Sequence, residues 1–184
     1  MRSKDEELIW KRTGEKELLR TPVFTVVEQN ETAANGVRGS YIALEAPDCV
    51  VVIPEYEGSF VLVRQWRHGA QKLTTEFPGG VIDAGESPEA AAARELSEET
   101  GFTAGKLTYL GVCSPNPALF KSRFHCFLAE ELVPCGGQHL DRDELISVEL
   151  MPKEDVISGF GGEEFSHAFM GTALAFYLRG KMNG

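Results

Sequence analysis

The segment from Ser87 to Gly101 constrains the chain most, because it surrounds residues that oppose a helix with a full set of helix signals. Ser87 can cap the N-terminus, Pro88 suits the first helical position, and Glu89 complements the positive end of the helix dipole. Ala90 to Ala93 are strong helix formers, and Gly101 is placed to end the helix in a left-handed cap. Glu95, Glu98 and Glu99 then crowd one face of the last turns, at spacings of three and four. Exposed carboxylates there oppose the dipole at about 0.3–1 kcal/mol each. Their mutual repulsion adds a few tenths of a kcal/mol per pair. A helix so well signalled should not carry this conflict for stability, and such local violations mark function. A divalent cation removes the conflict, and oxygen donors without Cys or His favour Mg²⁺ or Mn²⁺ over zinc. A Glu triplet alone reads better as a solvated acidic face, and Arg94 can soften the repulsion by pairing with a neighbour.

The rest of the chain narrows the class. At 184 residues, 42% hydrophobic and 25% charged, it can bury the core of one globular domain with a small appendage. Eighteen Lys and Arg against 28 Asp and Glu give a formal charge of −10, which disfavours nucleic acid and anionic membranes as partners. The longest apolar run, Cys49 to Ile53, reads as a buried strand, far short of a membrane span. The acidic start lacks a signal-peptide hydrophobic region. Cys49, Cys113, Cys126 and Cys135 form no C-x-x-C pair, so buried free thiols in a reducing cytoplasm are expected.

Residues 1–46 differ from the remainder. Val23 to Glu28 and Tyr41 to Leu44 predict two strands joined by a polar loop. From residue 47 onward, strands are expected at Cys49 to Pro54, Ser59 to Trp66, Leu107 to Cys113, Phe124 to Ala129 and Ile146 to Met151. Helices are expected at Ser87 to Thr100, Lys153 to Ile157 and Ser166 to Leu178, with a long polar loop from Glu130 to Asp143. This order predicts an α/β fold, a mixed sheet covered by helices.

The acidic helix also belongs to a longer pattern. Gly80, five residues, Glu86, seven residues, then Arg94-Glu95-Leu96-Ser97-Glu98-Glu99-Thr100-Gly101-Phe102 resembles the complete signature of the Nudix hydrolases. The resemblance implies an α/β/α sandwich with a small N-terminal β region, the signature forming a loop–helix–loop. It also implies metal-dependent hydrolysis of a nucleoside diphosphate linked to another group. Arg64-Gln65-Trp66-Arg67, the following Glu76-Phe77-Pro78-Gly79-Gly80, and Pro117 sixteen positions beyond Gly101 resemble the ADP-ribose and nucleoside-diphosphate-sugar pyrophosphatases. Relatives use an N-terminal strand region to build a homodimer, so residues 1–46 are expected to dimerise and residues 47–184 to form the catalytic domain.

By that resemblance Glu95 and Glu99 are the principal metal ligands, with Glu98 direct or through water and the Gly79 carbonyl joining them. Glu86 supports the cluster or simply complements the dipole, and Arg94 orients a glutamate. Arg67 is the candidate diphosphate clamp, its guanidinium fork matching phosphate oxygens, with Arg64 second to it. Trp66 is expected in the core. Trp10, Phe24 and Phe120 are candidates for holding the base, each otherwise a core or interface residue. Glu144 is the nearest match to a general base, with Asp141 and Asp143 as alternatives. The four histidines lack ligand spacing. A sensor that binds nucleotide sugars without cutting them should have lost acidic members of the signature, and here all are present. Another Nudix substrate, a dinucleoside polyphosphate or an oxidised nucleoside triphosphate, is the remaining alternative.

Overall fold

The computed structural model describes residues 5–142 and 144–182, so Asp143, an alternative base, lies outside the described residues. The chain divides into two compact units: residues up to Pro47 with Ser114–Ser122, and Asp48–Cys113 with Arg123 onward.

The first unit is an antiparallel sheet of β1 (Trp10–Arg20), β2 (Thr25–Ala33) and β3 (Arg38–Glu45), in that order. Two strands were expected here, and β1 is the addition. Its sequence, Trp-Lys-Arg-Thr-Gly-Glu-Lys-Glu-Leu-Leu-Arg, has no apolar alternation, and nearly all of its side chains are exposed. The backbone ladder to β2, from Trp10 opposite Ala33 to Arg20 opposite Thr25, holds it in place. Ser114–Ser122 joins this unit through Leu44 N–H to Leu119 C=O (2.7 Å), and Lys121 donates to Glu15 and Glu45 at 2.8 and 2.6 Å.

The second unit contains β4 (Cys49–Tyr56), β5 (Ser59–Arg67), β6 (Lys72–Glu76), α1 (Pro88–Thr100), β7 (Phe102–Cys113), β8 (Phe124–Pro134), β9 (Ile146–Pro152), α2 (Lys153–Gly159) and α3 (Ala168–Met182). β4 and β8 run parallel, β7 pairs antiparallel with β8, and β5 pairs antiparallel with β6 and β9, so the sheet is mixed. Alternation along β4 sends Val50 and Val52 to one face and Val51 and Ile53 to the other, and both faces are covered. Ala91, Ala92 and Leu96 of α1 pack on the first face with Val61, Phe127 and Ala129. Val156 of α2 and Met170, Ala173, Leu174 and Tyr177 of α3 pack on the second with Phe60, Leu62, Phe124 and Cys126. This is the expected α/β/α sandwich. A strand buried on both faces has to read as a continuous apolar run, which is why β4 was legible.

Three local expectations are corrected. β6 reads as polar, Lys-Leu-Thr-Thr-Glu, yet pairs with β5 from Arg67 opposite Lys72 to Val63 opposite Glu76. The expected loop at Glu130 begins only after Pro134, because Glu130 to Pro134 continue β8 against Lys106 to Phe102. Trp66 is 45% exposed rather than in the core. No helix among the described residues is long and apolar enough to cross a membrane.

One irregularity positions the site. β4 and β5 pair only next to their hairpin turn, at Glu55–Phe60 and Tyr56–Ser59. Beyond it Pro78 to Val81 takes the freed edge of β4, Val50 N–H donating to Gly80 C=O and Val52 N–H to Pro78 C=O, both at 2.9 Å. A glycine-bearing segment thus lies within the sheet, beneath α1.

Candidate active site

α1 forms as its sequence dictates. Ser87 Oγ accepts from Ala90 N–H at 3.1 Å, and Gly101, at φ 72°, donates its N–H to Ser97 C=O. Burying Ala91, Ala92 and Leu96 against the sheet carries Glu95 and Glu99 to the edge of the core, where they are 9% and 3% exposed. Gly79 N–H donates to Glu99 Oε2 at 2.8 Å. A Cβ on Gly79 would lie 2.1 Å from Val50 O, and one on Gly80 would lie 2.3 Å from Glu95 Oε1. Only glycines allow the strand edge and the carboxylates to come this close.

The electrostatics are strained accordingly. Burial raises the Glu95 pKa; Arg94 opposes this, and Glu98 and Glu144 add to it. Burial pushes Glu99 up to about 8, the Gly79 N–H and Arg67 pulling back while Glu95 and Glu144 push further. The carboxylates of Glu95, Glu99 and Glu144 therefore feel one another's charge, although Glu144 is remote in sequence.

Arg94 is fully committed. Its Nε and Nη2 donate to the two Glu86 oxygens at 3.0 Å, Nη1 to Glu95 (2.8 Å) and Glu98 (3.1 Å), and Nη2 also to Val81 C=O (3.0 Å). All five guanidinium donors of Arg94 have acceptors within the protein. Glu86, anchored further by Asp83 N–H, braces it.

Among the described residues no three acidic, imidazole or thiol groups converge as a ready-made metal cage. Arg94 draws Glu95 and Glu98 to itself, and Gly79 N–H holds Glu99. The donor chemistry nonetheless fits a hard divalent ion: carboxylate oxygens dominate, the Glu99 carboxyl is buried where a bound cation would favour its charged form, and glycines open the approach. Glu95, Glu98 and Glu99 are the residues that could hold it. The Gly79 group seen to face the cluster is its N–H; the flanking carbonyls of Pro78 and Gly80 belong to the β4 ladder.

Arg67 has a partner the sequence did not suggest. Its Nε and Nη2 donate to Glu76 at 2.8 and 2.6 Å, and Glu76, 2% exposed, also accepts from Thr74 Oγ1 and lies 2.7 Å from His167 Nδ1. Burial pushes the Glu76 carboxyl up, but Arg67, His167 and Thr74 together hold it well below the usual carboxylate range. Arg64 donates to Thr75 and Glu164 at 3.1 and 2.6 Å. His167 thus has a hydrogen-bonding role at Glu76 that the absence of ligand spacing concealed.

The three candidate base-binding aromatics all lie in the first unit. Trp10 packs edge-on against Tyr41 at 5.5 Å, Phe24 is half-buried at the turn before β2, and Phe120 is half-buried beside Leu44. Among the described residues no ring contact joins them to one another. Glu144 caps its own loop, accepting from Asp141 N–H at 3.1 Å. Asp141 is exposed.

Comparison with known proteins gives the family. The chain is 33% identical over 178 residues to the ADP-ribose pyrophosphatase of Bacillus subtilis (strain 168), covering 96% of this chain and 94% of that protein. It is 35% identical over 127 residues to the ADP compounds hydrolase NudE of Escherichia coli (strain K12), covering 68% and 67%. The crystal structure of an ADP compounds hydrolase superposes with a TM-score of 0.83 at 29% identity, over 94% of this chain and 95% of that one. The profile of the NUDIX domain family matches residues 45–169. With the signature helix, its glycine approach and its carboxylates all in place, the chain belongs to the Nudix family.

Proposed function

We propose that this Nudix protein hydrolyses the pyrophosphate bond of ADP-ribose or a related nucleoside diphosphate sugar, releasing a nucleoside monophosphate and a sugar phosphate. The observation that carries the reading is Glu99, a buried carboxyl on the signature helix whose pKa burial pushes up to about 8, approached by Gly79 and accompanied by Glu95 and Glu98. The names of the Bacillus subtilis and Escherichia coli relatives support the substrate class.

In this reading Glu95, Glu98 and Glu99 hold Mg²⁺, with Mn²⁺ as a substitute, and the Gly79 carbonyl joins them. When bound, the ion supplies charge neutralisation and polarisation at the phosphoryl oxygens. Glu144 takes a proton from the water that attacks phosphorus, and the bridging P–O bond breaks as the new one forms. Arg94, braced by Glu86, keeps Glu95 and Glu98 in place. Arg67 presents Nη1, which takes no part in the Glu76 pair, to the diphosphate, and Arg64 adds positive potential nearby. An aromatic from Trp10, Phe24 or Phe120 holds the base. The free thiols of Cys49 and Cys126, pushed up by burial to about 11 and 12, suit a cytoplasmic protein.

A panel of ADP-ribose, ADP-glucose, GDP-mannose, UDP-glucose and nucleoside triphosphates, each with Mg²⁺ or Mn²⁺ and products identified, tests the substrate class. Preference for the ADP-sugars is the expected outcome. Preference for triphosphates contradicts the reading, and binding without cleavage would make the protein a sensor.

The protein is further proposed to be a homodimer whose first 46 residues complete the substrate site. Leu18, Leu19, Val23, Tyr41 and Ile42 of the first unit are exposed apolar side chains, which a second copy would cover. Light scattering on the intact chain should give a dimer mass, and Ile42→Glu should give a monomer with raised KM. A fully active monomer at micromolar concentration contradicts both the dimer and the shared site.

A further inference from the structure

We infer that Gln138 is a positioning residue for Glu144, an inference that rests on the reading of Glu144 as the base. The segment from Cys135 to Arg142, which follows β8, closes over the C-terminal end of α1. That helix end has carbonyls without intrahelical partners, and the loop supplies donors to them. His139 N–H donates to Glu98 C=O at 2.8 Å, and Cys135 N–H donates to the C′ Gly101 C=O at 2.8 Å. Gly137 packs closely on Gly101, where an added Cβ would meet the Gly137 backbone at 3.2 Å.

Gln138 does something these backbone donors do not. Its Nε2 donates to Glu99 C=O at 2.6 Å and to Ile146 C=O at 3.2 Å. One amide thereby joins the helix residue whose carboxylate lies in the cluster to the first residue of β9, two positions after Glu144. Both partners are carbonyls, so the amide has to present its nitrogen, and a single NH₂ has a hydrogen for each. The Glu144 carboxylate is folded back onto Asp141 N–H, so its place relative to α1 follows from where this loop is tied. Its charge is felt at both Glu95 and Glu99. A side chain spanning helix and strand at this point fixes the distance between base and carboxylate helix.

A double-mutant cycle in kcat on the full chain, with ADP-ribose and Mg²⁺, tests this. Gln138→Glu keeps the shape but loses both donors and sets oxygens against two carbonyls. Gln138→Ala, measured beside it, removes the donors without adding charge. Each should lower kcat roughly tenfold, as for a catalytic group displaced by a fraction of an ångström, with KM changed less than about twofold. Glu144→Gln should lower kcat about a hundredfold or more. Either Gln138 variant combined with Glu144→Gln should be no slower than Glu144→Gln alone, since no base is left to position. A slow Glu144→Gln together with Gln138 variants at full speed overturns this inference and leaves the base in place. So does a double variant whose loss is the product of the two single losses, which makes Gln138 a general helix tether. Wild-type turnover in Glu144→Gln overturns the base and this inference together.

Discussion

Glu99→Gln is expected to lower turnover at least about a hundredfold, comparable to losing a major source of transition-state charge stabilisation. The fold should survive. Glu99 Oε2 accepts the Gly79 N–H, and the amide oxygen of glutamine can accept the same bond. What glutamine lacks is the charge that holds a hard cation. In the metal-free protein the change removes a carboxyl whose ionisation burial, Glu95 and Glu144 all disfavour, so the thermal midpoint should be equal or higher. Mg²⁺ should raise the midpoint of the parent protein by mass action and that of the variant much less. Near-normal turnover at saturating Mg²⁺ would remove Glu99 from the ligand set.

Arg67→Met is expected to destabilise the protein by about 3 kcal/mol, the low end for breaking a buried ion pair, because the guanidinium side chain is 41% exposed. The sequence presents Arg67 only as a clamp for the diphosphate. The bidentate pair with buried Glu76 gives it a second, structural duty. The sign of the pH dependence follows from Glu76. Its folded-state pKa is depressed, so the stabilisation is fully present above the unfolded value of 4.5 and is lost as pH falls through the folded value. The gap in stability between parent and variant should therefore be largest near neutral pH and shrink progressively below about pH 4.5. Denaturant melts at neutral and acidic pH measure this. An unchanged midpoint with slow turnover would return Arg67 to a clamping role alone.

What the sequence made legible was whatever local chemistry decides. Ser87, Pro88 and Gly101 set the ends of α1 within one turn of themselves, and the apolar runs of β4 and β5 announce strands buried on two faces. β1 stayed hidden because its stability comes from a backbone ladder to β2 rather than from a buried face, and its charged side chains carry no period. β6 stayed hidden because Thr74, Thr75 and Glu76 are buried polar residues whose partners, Arg67, Glu164 and His167, come from elsewhere in the chain. Trp66 was misread because strand alternation says which residues share a face but not where the covering helices end.

The candidate site divides in the same way. The spacing of Glu95, Glu98 and Glu99 along one helix could be read directly, and the full engagement of Arg94 follows from neighbours within the signature. Glu144 is reached only through the family resemblance; Gln138 depends on a loop meeting the helix end and Glu76 on a strand and a helix meeting, so no local pattern reports those two.

The most direct measurement is ³¹P NMR of ADP-ribose incubated with the intact protein, first with Mg²⁺ and then with excess EDTA. The expected result is replacement of the diphosphate resonances by those of two phosphomonoesters, AMP and ribose 5-phosphate, with EDTA halting the conversion. Diphosphate resonances that persist in Mg²⁺ and in Mn²⁺, while ADP-ribose binds the protein, would contradict the account.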